Sequence, residues 1–209
     1  MVQRRRRLLD VESILDAALA LVDEHGRLTM SELAGRLGSS ASSIYHHVSG
    51  RAEIIELLRE RFAANVHLPS VDGADWGDEV ASWMRSYRGH MAEHPNLIPL
   101  LIGQTMTAGA ALRGYDRVAG LLSAAGFPDS EVILWVTALD CYAVGAALEL
   151  TSPPDVWRSE RDRTPALDAA VHAGPRGQDR ADAAFDLGLS ALLAGMRERL
   201  AAQPTGVGP

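Results

Sequence analysis

Two groups of residues in this chain have the types and spacing for chemistry. The first is His90-Met-Ala-Glu93-His94. Residues four apart stack on one face of a helix, so both imidazoles could face a zinc ion while Glu93 activates a bound water for hydrolysis. No third ligand follows on a paired helix and Pro95 stops the helix at once, so a zinc hydrolase is kept as the alternative to a polar helix end near solvent or in a ligand pocket. The second group lies within Thr29 to Arg51, TMSELAGRLGSSASSIYHHVSGR. Its later half carries Ser42, Ser43, Tyr45, His46 and His47 around two apolar residues, Ile44 and Val48, four apart. A short helix burying that one edge presents hydroxyls, a phenol and imidazoles on the other, the donors and acceptors that a DNA major groove can be read with. An ordinary helical hairpin would use the same spacing for packing alone.

The elements that must position these groups are helices. Val11, Ile14, Leu15, Ala18, Leu21 and Val22 recur at three-four spacing after Asp10, and Gly26 ends that helix. Thr29 followed by Glu32 predicts a capping box, Gly38 closes the second helix, and Ser39 or Ser40 caps a third that runs through His47. Ile54, Ile55, Leu58 and Phe62 give a fourth helix directed at the same core. Trp76 to His94 reads as a long helix, Pro95 and Pro99 cut the next stretch into short pieces, and Gly109 to Ala125 forms another helix. Asp129 is expected to cap a strongly apolar helix to about Leu150. Residues 153 to 180 are expected to form a mobile loop with one helical turn near Leu167 to Val171, and Asp182 to Leu200 a last amphipathic helix. No stretch alternates as a strand does, so the chain is expected to be all-α.

Bulk properties narrow the function classes. The net charge is −7, every one of the 20 basic residues is Arg, and the acidic excess lies after His67. Arg4 to Arg7 form a basic arm suited to phosphate contacts. Cys141 stands alone, which excludes an internal disulfide and fits a cytoplasmic location. Asp10, Glu12 and Asp16 interrupt any signal peptide, and Asp140 sits within the apolar run Val132 to Leu148, read as a buried bundle helix rather than a membrane span. No nucleophile elbow, Walker loop or dinucleotide fingerprint is present, so no cofactor is expected and catalysis is not. A helical adaptor that binds only protein would have no use for the basic arm and the polar third helix.

ILDAALALVDEHG, LTMSELAGRLGSSASSIYHHV and RAEIIELLRERF together resemble the DNA-binding domain of the tetracycline-repressor (TetR) family. GFPDSEVILWVTALDCYAVGAALEL and DLGLSALLAGMRERL more weakly resemble the regulatory domain of the tetracycline-repressor branch. The resemblance implies a helix-turn-helix domain over 1–67, with a flexible arm over 1–9, and a larger helical ligand-binding and dimerisation domain over 68–209. It implies a homodimeric repressor that binds a palindromic double-stranded operator and is released by a small organic effector. Thr29, Ser42, Ser43, Tyr45, His46, His47 and Arg51 fall at positions that contact DNA in the family. Ser31, Ala41 and Ser42 stand where the tetracycline repressor has Arg, Gln and Pro, so the operator is expected to differ. His67, Trp83, Tyr87, His94, Asn96, Gln104, Thr105, Met106 and Glu149 fall on or near pocket positions. Leu101 replaces the His that holds the drug-bound magnesium and Trp83 replaces an Asn on the drug's amide. A flat, partly aromatic ligand gripped by Trp83, Tyr87, Trp135 and Met106 is therefore expected. The last two long helices are expected to form a four-helix bundle across the dimer with Leu189 and Leu193 in the interface, and a ligand-driven shift of the Trp76 to His94 helix is expected to move the fourth helix.

Overall fold

The computed structural model describes residues 9–70 and 75–202; the Arg4–Arg7 arm lies outside them. Among the described residues there are ten α-helices and no strand: α1 (Val11–His25), α2 (Met30–Leu37), α3 (Ala41–Tyr45), α4 (Arg51–Ala63), α5 (Trp76–Glu93), α6 (Ile98–Ile102), α7 (Gly109–Ala125), α8 (Asp129–Glu149), α9 (Pro165–Ala173) and α10 (Gly177–Ala201). A single 3-10 turn, Pro95–Leu97, precedes α6. The chain divides into two compact units, one of residues 1–66 with 93–115, the other of residues 67–92 with 116–209. The segment around the two prolines packs in the same unit as the N-terminal helices.

In the first unit, α1 buries the stripe Ile14, Leu15, Ala18, Leu21 and Val22. Asp10 caps it: the Asp10 side chain accepts from Ser13 N–H and the Ser13 hydroxyl oxygen accepts from Asp10 N–H. Gly26 closes it in the left-handed region, φ 67°, and Gly38 closes α2 the same way. Leu33, Ile44, Val48, Ile54, Ile55 and Leu58 complete the core. Two local expectations are corrected, and the choice of cap for α3 is resolved. The Thr29 box is half made: Thr29 Oγ accepts from Glu32 N–H, but the Glu32 carboxylate takes the Thr29 hydroxyl and the Arg27 guanidinium instead of the Thr29 backbone. Helix α3 is five residues long and ends at Tyr45, so His46 and His47 lie on the turn that follows. Ser40 rather than Ser39 is its cap, accepting from Ser43 N–H.

In the second unit, Val80, Trp83 and Met84 of α5, Leu121 and Leu122 of α7, Leu139 and Ala143 of α8, and Phe185, Leu189, Leu193 and Met196 of α10 are buried. The expected Asp129 cap is not made: Pro128 occupies the cap position and Asp129 sits in the first turn, where its negative charge is favourable beside the positive end of the helix dipole. The loop after α8 contains a nine-residue helix, α9, rather than one turn. Helix α8 is long and apolar enough to cross a membrane, and only part of it is buried: Ile133 and Leu134 are about two-thirds exposed, so the reading of α8 as a buried helix holds for one face alone. Leu189 and Leu193 lie inside the protomer core, not on an outer face, which corrects their assignment to a dimer interface. Helices α8 and α10 are locked at mid-length by Tyr142, whose hydroxyl donates to the carbonyls of Ala184 and Phe185. A Cβ at Gly188 would collide with that hydroxyl, so only glycine allows the approach.

Gly50, between α3 and α4, adopts φ 153° and ψ −168°, a region open to glycine alone. Gly35, inside α2 with open space where a Cβ would stand, is under no such constraint. Gly50→Ala is expected to destabilise by about 1–3 kcal/mol. Gly35→Ala is expected to stabilise by about 0.5–1 kcal/mol. Urea unfolding midpoints of the two variants check the opposite signs.

Candidate functional site

The short α3 carries the outward polar face. Ile44 is fully buried and Val48 nearly so, while Ser42, Tyr45, His46 and His47 are exposed, Tyr45 by 52%. A phenol left half in water beside a fully buried Ile is spent on something other than the core. Ser43 is half-buried, its hydroxyl paired with Ser40 at 2.9 Å. Thr29 is exposed, with its hydroxyl donated to Glu32 at 2.7 Å. Arg51 is exposed, and its Nε donates to the Leu28 carbonyl at 2.9 Å, which ties the start of α4 to the loop before α2. Nearby cations are already paired. Arg36 donates two hydrogen bonds, one to each oxygen of Glu24, holding Glu24 below its usual range and joining α2 to α1. The bonds from Arg27 and Thr29 hold Glu32 at about 2.

The residues expected to bind an effector fall in both compact units. In the second unit, Trp83 is buried and stacks on Tyr87 with ring centroids 5.3 Å apart, and the Tyr87 hydroxyl donates to Asp140 at 2.9 Å. Asp140, read in the sequence only as an interruption of an apolar run, is thus the polar partner of this aromatic pair. Trp135 packs edge-on against Phe127, as a core residue does. His67 is exposed, its backbone N–H bonded to Ser86, and Glu149 pairs with Arg180 at 2.7 Å. In the first unit, His94 bonds the Asp23 carboxylate at 2.9 Å and Asn96 donates to the Asp23 carbonyl. Gln104 donates to Glu56 and to the Ala52 carbonyl, Thr105 is exposed and Met106 half-buried. His94, Asn96 and Gln104 are therefore engaged as ties onto α1 and α4.

The histidine motif does not hold its expected geometry. Helix α5 ends at Glu93, and His94 leaves helical backbone at φ −134°, ψ 64°. His90 Nδ1 faces its own helix at the Ser86 carbonyl, 2.8 Å away. Among the described residues no three His, Cys, Asp or Glu are grouped to hold a metal ion.

Sequence reasoning missed Glu56, whose carboxylate gathers five hydrogen bonds. One of its oxygens accepts from Thr107 N–H at 2.8 Å, the Thr107 hydroxyl at 3.1 Å and Ala108 N–H at 3.0 Å; the other accepts from Arg59 at 2.9 Å and Gln104 at 3.0 Å. One turn on, Glu60 accepts from Ala110 N–H at 2.6 Å. The buried Arg59 donates to the Leu101 carbonyl at the end of α6. The spacing Glu56, Arg59, Glu60 was a visible sign of a second, polar face on α4. Burial pushes the Glu56 carboxyl up, but the Thr107, Gln104 and Arg59 bonds outweigh it and hold the group at about 2, against 4.5 ordinarily. A carboxyl lowered in the folded state stabilises fully above its unfolded value, and that stabilisation is lost as pH falls from about 4.5 towards 2. The stability gap between wild type and Glu56→Gln is expected to narrow between pH 7 and pH 3, as measured by urea midpoints at the two pH values.

The chain is similar to known proteins along most of its length. Residues 14–58 match the family model described as bacterial regulatory proteins, tetR family, and residues 68–200 the tetracyclin repressor-like C-terminal domain. An HTH-type transcriptional regulator of Saccharopolyspora erythraea is 31% identical over 92% of this chain and 86% of that protein. The class D tetracycline repressor protein of Escherichia coli is 26% identical over 93% of this chain and 92% of its own length. Streptomyces coelicolor ActR, a TetR family protein solved in complex with actinorhodin, superposes with a TM-score of 0.74 at 25% identity, covering 92% of this chain and 98% of ActR.

Proposed function

The chain belongs to the tetracycline-repressor family of bacterial regulatory proteins, and from that premise we propose how this DNA-binding transcriptional repressor recognises its operator, dimerises and is released. Recognition falls to the 1–67 domain, with Ser42, Tyr45, His46 and His47 towards the DNA, Ser43 and Thr29 at helix starts, and Arg51 on a phosphate. The observation that carries this is the sorting of α3: its apolar edge is fully buried and its polar residues stand in solvent. A five-residue helix spans too few base pairs for specificity, so two copies read a palindrome. Tyr45→Ala is expected to weaken binding to the gene's own upstream duplex by about tenfold or more, the loss of one bond to a charged group. Fluorescence anisotropy at low and high salt measures it; equal binding by variant and wild type would remove Tyr45 from the interface.

The dimer forms through the outer faces of α8 and α10. On α8, Leu134, Thr137, Cys141 and Leu148 are exposed at three-four spacing; on α10, Ala184, Leu187, Ala191 and Ala194 are. Leu187 is 75% exposed, more than any other large apolar side chain of these helices. Apolar rows of this length on a monomer favour a second copy, and paired helices from each give a four-helix bundle. Leu134→Glu together with Leu187→Glu is expected to yield folded monomers by sedimentation. Leu193→Glu is expected to unfold the protomer instead, because Leu193 is 6% exposed.

Release follows binding of a flat, partly aromatic effector in the 68–209 domain, with Trp83 and Tyr87 as the stacking surface and Asp140 with the Tyr87 hydroxyl as polar anchors. Leu101, where the tetracycline repressor holds magnesium through His, is 2% exposed and offers only its carbonyl, which Arg59 takes. That argues against a metal-chelated drug. Effector need favour the operator-free state by only a few kcal/mol. No catalysis is assigned, since His94 is committed to Asp23 and His90 to Ser86, and the site of action is the cytoplasm, where the DNA is.

A further inference from the structure

We propose that Glu32 is a specificity-determining residue: by neutralising Arg27 it withholds that guanidinium from the phosphates of any duplex and so limits sequence-independent binding. The inference rests on the repressor reading above. The carboxylate is wired into the reading surface. One of its oxygens accepts from Arg27 at 2.6 Å and 3.2 Å, and the other from the Thr29 hydroxyl at 2.7 Å. The loop that carries Arg27 and Thr29 is tied to the start of α4, because Arg51 Nε donates to the carbonyl of Leu28 between them. Arg27, Thr29 and Arg51 therefore stand together, and the Arg27 side chain is exposed to solvent.

The charge balance of this unit gives the pair its weight. Residues 9–66 hold five Arg against nine Asp and Glu, a net charge of −4. Arg27 pairs with Glu32, Arg36 with Glu24, Arg59 with Glu56 and Arg61 with Asp16. Among the described residues of 9–66, Arg51 alone has no carboxylate partner. Sequence-independent binding to a duplex grows with the number of phosphates that cations neutralise, since each one releases condensed counterions. A guanidinium 2.6 Å from a carboxylate adds no net charge at the distance of a phosphate. That holds wherever Arg27 swings, because a departing Arg27 leaves Glu32 facing the same phosphates. The bonds from Arg27 and Thr29 hold Glu32 at about 2, so it does not shed its charge by protonation at neutral pH. The folded unit thus offers a random duplex one unpaired cation, and tight binding is left to the side chains of α3 and the turn after it.

Glu32→Gln removes the charge and keeps the backbone N–H that Thr29 Oγ accepts from, so the start of α2 is preserved. Fluorescence anisotropy of the full chain tests the inference, with one random-sequence duplex and one duplex selected from a random library, over a range of salt concentrations. The freed Arg27 of each protomer adds two phosphate contacts in the proposed dimer, so the slope of log affinity against log salt should steepen by about 1.8. The random duplex should be bound about tenfold more tightly at low salt. The selected duplex should gain less, because a docked register fixes which phosphates Arg27 can meet. In Arg27→Ala/Glu32→Gln the gain should vanish. Urea midpoints check that each variant is folded, and Glu32→Ala serves if Glu32→Gln is not. Unchanged binding of the random duplex overturns the role of Glu32. A gain that survives Arg27→Ala overturns the withholding of Arg27, since relief of repulsion alone then explains it. Equal gain on both duplexes overturns the effect on specificity. A wild type that prefers no selected duplex over the random one overturns the repressor reading and this inference with it.

Discussion

Every helix in this protein has backbone groups at its ends that need partners, and the N-terminal unit depends on how those needs are met from a distance. Leu97, Ile98 and Leu101 bury the segment 93–115 in the apolar core of that unit, and side chain to backbone bonds add direction to its path. Arg51 closes the Leu28 carbonyl, Asn96 the Asp23 carbonyl, Arg59 the Leu101 carbonyl, and Glu56 and Glu60 the first N–H groups of α7. An unpaired backbone group in a buried place costs about 1–3 kcal/mol, several times the net gain of an exposed ion pair. Of these bonds the one from Arg59 to the buried Leu101 carbonyl carries that full weight, and it outweighs a surface pair such as Arg27 with Glu32, where the Arg side chain is 65% exposed.

The same constraint separates what the sequence disclosed from what it withheld. Local rules were legible: Gly26 and Gly38 end helices, Asp10 begins one, and the spacing of Ile44 with Val48 marks the buried edge of the recognition element. Bonds across long separations were not. Glu56 meets Thr107 51 positions away, and no periodicity links the two. Thr29 with Glu32 matched a local pattern, but Arg27 competed for the carboxylate and half of the box was lost. The histidine motif failed for a related reason, since Pro95 ends the helix one residue before its second imidazole is in place.

The faces of α10 were ambiguous because it is rich in Ala, Gly and Leu on all sides. Leu187, Leu189 and Leu193 look alike in a sequence, and only their burial in the folded unit decides that the latter two are interior. Helix α8 misled in the opposite sense: its apolar residues encircle it, so composition suggested full burial where the structure leaves a row in solvent. Apolar content reports how much surface a helix wants covered; it is silent on whether the cover comes from its own chain.

The seat of Tyr142 over Gly188 gives that outer surface a property of its own. The ring lies stacked on Phe185 and its hydroxyl binds two successive carbonyls of α10, so α10 can neither slide by a turn nor rotate against α8 without breaking both bonds and driving side chain into backbone. The rows on the two helices are thus in register before anything meets them. In the proposed dimer a second copy would encounter a finished plate instead of two helices that must be ordered on contact, the conformational entropy of arranging that plate being spent during folding, not association.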